Sequence, residues 1–87
     1  MPELDKILEE RGSKYGPFLR HAQISQGIKD AIFIVGSENK LACDQSEALE
    51  MIAHKIARII NGDSNHVDSW DDIAGYATLV ANRLRGK

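Results

Sequence analysis

Apolar residues recur at intervals of three and four along four separate segments of the chain, and this spacing constrains the fold more than any other feature. The period is that of one face of an α-helix. The clearest example is the set Ala48, Leu49, Ile52, Ile56, Ile59 and Ile60. The one segment that resembles a buried strand, 31–35, has no second strand candidate to pair with. We therefore predict a small all-α domain with four helices packed as a bundle, at about 2–11, 17–36, 45–61 and 69–85.

Glycines and acidic residues mark the ends of these helices. Gly12 interrupts the first apolar pattern, and Gly16-Pro17 separates helices one and two. Asp44 followed by Glu47 has the spacing of a capping box, with Asp in place of Ser or Thr, and predicts the start of helix three. Asn61-Gly62 predicts its C-terminal end. The loop that follows is short, so we expect the last two helices to form an antiparallel hairpin.

Length and charge bound the class of protein. A chain of 87 residues makes one small domain with a marginal core, so we expect self-association into a homodimer or tetramer. The net charge of −2 gives no reason to expect nucleic acid as a partner. Cys43 has no second cysteine to pair with, and the N-terminus does not resemble a secretion signal. No apolar run approaches the ~20 residues of a membrane span, so we expect a cytoplasmic protein that does not contact a membrane.

Helix four has two unlike sides. One is an apolar stripe of Trp70, Ile73, Ala74, Ala77, Val80, Ala81 and Leu84. The opposite, acid-bearing side contains Asp68, Asp72, Gly75, Tyr76 and Leu79. A mid-helix glycine costs about 0.5–1 kcal/mol relative to alanine and often marks a close approach to the backbone. A solvated face does not need this mixture, so we expect both sides to be covered, the acid-bearing side by a neighbouring helix or another subunit.

Two pairs of acidic residues stand about one turn apart on the last two helices. Glu47 and Glu50 lie on helix three, and Asp68 and Asp72 lie on helix four. If these faces meet, the four carboxylates are candidate ligands of Mg²⁺, which prefers oxygen ligands from carboxylates, water and phosphates. Simpler explanations exist: Glu47 and Asp68 fit helix capping, and Glu50 fits an exposed charged stripe. Asp72 fits them least, because it lies beyond the cap, where an unpaired buried carboxylate is costly.

The same hairpin resembles the metal-binding helix pair of the all-α nucleoside triphosphate pyrophosphohydrolases, the MazG-like superfamily. EALEMIAHKIARII, a short loop and DSWDDIAGYATL are similar to its pattern of E-x-x-E on one helix and E-x-x-D on the next. Glu47 and Glu50 match the first pair, and Asp72 matches the final aspartate. Ser69 stands where the family has the remaining acid, so a neighbouring aspartate would have to replace it. KIARI and DIAGY also resemble small helical proteins of phages and prophages, and the resemblance covers about 44–84.

The resemblance implies an Mg²⁺-dependent enzyme that releases pyrophosphate from a nucleoside triphosphate, in the cytoplasm of a bacterial or phage-infected cell. It implies that Glu47, Glu50, Asp68 and Asp72 hold Mg²⁺, and that Lys55 and Arg58 neutralise or orient the phosphates. His54 is expected to be a solvated histidine. The rival prediction is a non-catalytic helical module for dimerisation or for binding another protein. A DNA-binding domain ranks behind both, because the one basic cluster, at the C-terminus, is also what a helix end prefers.

Overall fold

The chain folds into four α-helices. The computed structural model describes residues 2–33 and 40–86. The helices are α1 (Pro2–Tyr15), α2 (Phe18–Ile32), α3 (Cys43–Asn61) and α4 (Val67–Leu84). No strand occurs in these two stretches, so the prediction of an all-α, bundle-like domain is confirmed. None of the described helices is both long enough and apolar enough to cross a membrane.

A tight turn at Gly16 separates α1 from α2. α1 continues past Gly12, its predicted end, because Gly16 is the residue that adopts the left-handed backbone conformation, with φ of 77°. The Gly16 N–H closes the last turn by donating to the Gly12 carbonyl at 2.9 Å. α2 ends earlier than predicted, because Phe33 caps it with a non-helical backbone. The rest of the predicted extension, 34–36, lies outside the described residues.

The first turns of α3 and α4 each begin two residues earlier than predicted. Ala42 precedes α3, and its N–H donates to the side-chain oxygen of Gln45 at 2.9 Å. Asp44, the predicted cap, lies inside the first turn and forms an ion pair with Arg83 of α4. Asp68 is likewise a residue of the first turn of α4 and does not cap it.

α3 is the central helix. It packs most extensively on α4 and α2 and more lightly on α1, whereas α4 has no second helix as a substantial neighbour in the described part of the chain. Asp44, near the start of α3, pairs with Arg83, near the end of α4, and Lys55 pairs with Asp72. The two helices therefore run antiparallel, as predicted.

Small and polar side chains make up the interior. Within 2–33 and 40–86 the buried apolar residues are Ala48, Ala53 and Ala57, all on α3. Small side chains allow helix axes to approach closely, so α3 approaches its neighbours at these alanines, and its larger side chains Leu49, Ile52 and Ile56 are half-buried. Ten large apolar side chains are exposed: Leu4, Ile7, Leu8, Phe18, Leu19, Ile60, Val67, Trp70, Leu79 and Leu84.

The side of α4 that faces α3 differs from the predicted one. Ser69 is the buried residue of α4, and Ile73 and Tyr76 are half-buried one and two turns further on. The stripe that was expected inside is only partly covered: Ile73, Val80 and Ala81 are half-buried, whereas Trp70 is 54% exposed and Leu84 is 61% exposed. Two ion pairs with α3, and a serine small enough for close packing, fix this rotation of α4. The edge of the apolar stripe formed by Trp70, Ala77 and Leu84 is therefore left open.

Candidate functional site

A buried lysine joins α3 to the acid-bearing side of α4. Lys55 is 7% exposed, and its Nζ lies 3.1 Å from Asp72 Oδ2. An ammonium group removed from water is costly unless a carboxylate or hydrogen-bond acceptors compensate it. Asp72, whose side chain is 48% exposed, supplies that compensation and still faces solvent. The predicted special role of Asp72 thus has a structural part, which is to neutralise Lys55.

Two adjoining grooves occupy the acid-bearing side of α4. The first has a volume of about 290 Å³, and its lining includes Glu47, Tyr76 and Leu79. The second has a volume of about 630 Å³, and its lining includes Asp72, Gly75, Tyr76 and Leu79. Because both contain Tyr76 and Leu79, they form one continuous surface with Glu47 at one end and Asp72 at the other. We call this surface, defined by Glu47, Asp72, Gly75, Tyr76 and Leu79, the acidic groove.

The other two predicted cation ligands lie apart from this surface. Glu50 is half-buried and is not among the lining residues of either groove. Asp68 lies outside both grooves as well, with its Oδ2 at 3.4 Å from Nε2 of His66. In the described residues no three His, Cys, Asp or Glu side chains come together as metal ligands. The set of four carboxylates stays a prediction, and the structure places two of its members, Glu47 and Asp72, on the acidic groove.

The two predicted phosphate ligands contact different helices. Lys55 is directed to α4, where it pairs with Asp72. The Arg58 guanidinium lies over the ring of Tyr15 on α1, 4.4 Å from its centroid, in a cation–π arrangement. Arg58 therefore lines a different recess from Lys55.

A pair of histidines lies between α2 and α3. His54, predicted to be solvated, is half-buried, and its ring centroid lies 4.4 Å from that of His21, which is 5% exposed. Nδ1 and Nε2 of His21, Nδ1 of His54 and Oγ of Ser25 are all buried without a hydrogen-bond partner. Burial, with smaller contributions from His21 and nearby cations, lowers the pKa of His54 to about 4. Burial and the nearby Arg58 also lower the pKa of His21, so both rings are neutral at pH 7.

These histidines line the recess that also contains Arg58. It has a volume of about 420 Å³ and lies among α1, α2 and α3, and its lining includes Arg11, Tyr15, Phe18, His21, His54 and Arg58. We call it the histidine cavity. His21 was not among the predicted site residues. Its signal was the spacing of His21, Ser25, Ile28 and Ile32, four, three and four residues apart, which places them on one stripe of α2.

These features define a small all-α protein with a central helix, an acidic groove and a histidine cavity. The chain belongs to the family described as a domain of unknown function, DUF6378, whose sequence model matches residues 3–84. No curated protein and no solved structure matches the chain. The description of the family contains no activity, so the resemblance to the MazG-like pyrophosphohydrolases stays a prediction.

Proposed function

We propose that this chain is a self-associating helical module that forms a homodimer through the open apolar side of the α3–α4 hairpin. The observation that carries the proposal is the incomplete burial of apolar residues: ten large apolar side chains are exposed, whereas the fully buried apolar residues in the described part of the chain are three alanines. Burial of apolar surface is the main favourable contribution to folding. A second subunit would provide the burial that one chain lacks.

The accessible surface supports the same proposal quantitatively. The chain exposes 6296 Å², whereas a compact monomer of 9.7 kDa exposes about 5,100 Å². Its Cα radius of gyration is 15.0 Å, against about 12 Å for a compact domain of this length. The excess surface of about 1,200 Å² exceeds the roughly 800 Å² that each partner buries in a stable interface. The excess is thus the size of one interface with a second copy, and two of the exposed apolar side chains, Trp70 and Leu84, belong to the contact surface proposed next.

An apolar groove between α3 and α4 is the proposed contact surface. It has a volume of about 290 Å³, is lined by Leu41, Gln45, Ala48, Leu49, Ile52, Ala77 and Val80, and contains no charged side chain. The exposed Trp70 and Leu84 lie on the same side of α4. Ala77, between them, is small enough to allow a helix of a second copy to approach closely. We call this surface, defined by its lining residues with Trp70 and Leu84, the apolar groove.

The substitution Ala77→Glu tests this dimer. Ala77 is exposed in the single chain, so a glutamate there leaves the fold of one subunit intact but places a charge in the proposed interface. Thr78→Glu is the matched control, because Thr78 is also exposed and points about 100° away around α4.

We expect sedimentation equilibrium to give twice the chain mass for the unsubstituted protein and for Thr78→Glu, and the monomer mass for Ala77→Glu. A monomeric unsubstituted protein at tens of micromolar would contradict the proposal. So would an Ala77→Glu variant that remains dimeric.

A second function is supported by the acidic groove. We propose that this groove binds the Mg²⁺ complex of a nucleoside triphosphate, as the MazG-like resemblance implies. Mg²⁺ is commonly held by one or two carboxylates, with phosphates and water as its other ligands. Asp72 would hold the cation, which when bound polarises a phosphoryl oxygen for attack by water, and Glu47, at the other end of the groove, would hold a second cation. Lys55 keeps the Asp72 carboxylate in place, and the half-buried Tyr76 offers a ring for a base.

Release of pyrophosphate from the four deoxynucleoside triphosphates in the presence of Mg²⁺ tests this second function. Asp72→Asn should abolish the release, whereas Asp30→Asn, at an exposed position on α2, should leave it unchanged. Circular dichroism of both variants at the assay temperature separates loss of activity from loss of helix. If none of the four nucleotides is hydrolysed and none raises the melting temperature with Mg²⁺, the second function is wrong.

A further inference from the structure

The two histidines that line the histidine cavity carry buried ring nitrogens whose partners are absent from the described protein residues. Three ring nitrogens of His21 and His54, and Oγ of Ser25, have no hydrogen-bond partner. Buried polar atoms are nearly always paired, and an exception calls for a water, an ion or a ligand as the partner. His21 is 5% exposed and belongs to the cavity lining. The cavity is thus lined by two imidazoles whose buried nitrogens find no partner within the described chain.

The charges around the histidines indicate whether the cavity would bind a cation or an anion. Arg58, Lys29 and Lys55 all lower the pKa of His21 through their positive charge. The same field opposes a bound metal cation, although neutral imidazoles are good metal ligands. It favours a molecule with a negative group. Arg11 and Arg58 line the cavity, and a guanidinium binds carboxylate or phosphate oxygens through two parallel hydrogen bonds.

Aromatic side chains supply the flat surfaces of the cavity. The Phe18 ring is stacked near His21, with centroids 5.9 Å apart and an interplanar angle of 28°. It is 79% exposed, so one of its faces is free for a further ring. The Tyr15 ring lies beneath the Arg58 guanidinium. A planar ligand can therefore stack at the mouth while its charged group reaches the arginines.

We propose that the histidine cavity binds an anionic heteroaromatic molecule. Its ring stacks on Phe18 and contacts the imidazoles of His21 and His54, and its carboxylate or phosphate binds Arg11 and Arg58. The volume of about 420 Å³ lies at the lower end of ordinary ligand pockets, which measure about 300–1,000 Å³. It admits molecules from a pyridine carboxylate up to a nucleoside monophosphate. The site opens among α1, α2 and α3, away from the acidic and apolar grooves.

Two pairs of probes test the site and distinguish the two kinds of anion. Pyridine-3-carboxylate is compared with its neutral amide, and deoxyadenosine 5′-monophosphate with deoxyadenosine. Calorimetry measures the dissociation constants, and NMR follows the imidazole Hε1 signals of His21 and His54. We expect at least one anion to bind about tenfold or more tightly than its neutral partner, with shifts of both imidazole signals. The pair that shows the difference identifies the anionic group.

Variants locate the binding. Arg58→Gln should weaken binding of the anion about tenfold. Arg11→Gln should weaken it as well, and because Arg11 is exposed, this variant does not disturb the packing of the interior. Arg85→Gln, at the far end of α4, is the matched control and should change nothing. Ala77→Glu and Asp72→Asn should also leave binding unchanged, so failure of either proposed function does not affect this result. The proposal is overturned if neither anion binds better than its neutral partner, or if both arginine variants bind as tightly as the unsubstituted protein.

Discussion

Replacing Gly75 by alanine reports what covers the acid-bearing side of α4. Gly75 is exposed in the middle of the helix, and a Cβ built on it would have no atom within 4 Å. Alanine is favoured over glycine in a helix interior by about 0.8–1 kcal/mol. If the dimer forms through the apolar groove, Gly75 stays open in the assembly. We then expect Gly75→Ala to raise the free energy of unfolding by that amount.

Gly27→Ala is the matched control, because Gly27 also lies within a helix and a Cβ there also meets nothing within 4 Å. Urea unfolding at one fixed protein concentration measures both variants. With a slope of about 1 kcal/mol per molar urea, typical of the smallest domains, each midpoint should rise by about 0.8–1 M. The difference between the two midpoints isolates whatever lies against Gly75, since helix propensity contributes equally to both.

A covered Gly75 gives the opposite sign. An added methyl group forced into a packed contact costs about 1–3 kcal/mol, which outweighs the gain in helix propensity. If Gly75→Ala destabilises the ligand-free protein while Gly27→Ala stabilises it, a protein surface covers the acid-bearing side. The assignment of the dimer contact to the apolar groove would then be wrong.

Three further perturbations follow from individual contacts. Gly62→Ala should lower the free energy of unfolding by about 3 kcal/mol or more, measured by urea unfolding, because the new Cβ would lie 2.1 Å from the Lys14 carbonyl oxygen. Asp72→Asn should cost about 1–3 kcal/mol in the same assay, since it leaves the Lys55 ammonium buried without a carboxylate, whereas Lys55→Met should cost less than about 1 kcal/mol. Stability should fall as the pH is lowered from 6.5 towards 4, because the unfolded state takes up a proton on His54 at a higher pH than the folded state, whose pKa is about 4. The difference between the His54 pKa values of the unfolded and folded states corresponds to at most about 3 kcal/mol of stability, which partial solvation reduces to about 1–2 kcal/mol. Melting temperatures between pH 4 and 7 measure how stability depends on pH, and His54→Gln should reduce this dependence.

The sequence predicted the helices but not which sides of them are buried. Helical periodicity, Gly16 and Asn61-Gly62 sufficed for four helices and the antiparallel hairpin. The apolar stripe of α4 was expected inside, yet Ser69 is the residue that is buried. A stripe of Ser69, Ile73, Tyr76 and Val80, spaced four, three and four apart, was equally present in the sequence. Hydrophobicity alone does not favour it, because it contains small and polar residues.

Long-range pairs account for the remaining differences. Asp44 has the local spacing of a cap, but Arg83 lies close enough in the folded chain to take its carboxylate. Likewise, His54 stands on a stripe of charged residues, and only the fold brings His21 against it. Local spacing cannot show a partner that is 33 or more positions away. The sequence therefore predicted which types of residue could form the site, whereas the fold determines which of these residues share a surface.

The two proposed functions use different sides of α4 and should not compete. Successive residues of a helix are separated by about 100°, so Gly75 and Ala77 lie about 160° apart around the axis. Gly75 lies in the acidic groove and Ala77 lies in the apolar groove. Since a ligand shifts an equilibrium only through different affinities for its two states, a nucleotide that touches one chain alone binds monomer and dimer equally. We therefore expect its dissociation constant in the presence of Mg²⁺ to be the same at protein concentrations above and below dimer dissociation. A constant that falls on dimerisation would show that the second subunit contributes ligands to the acidic groove.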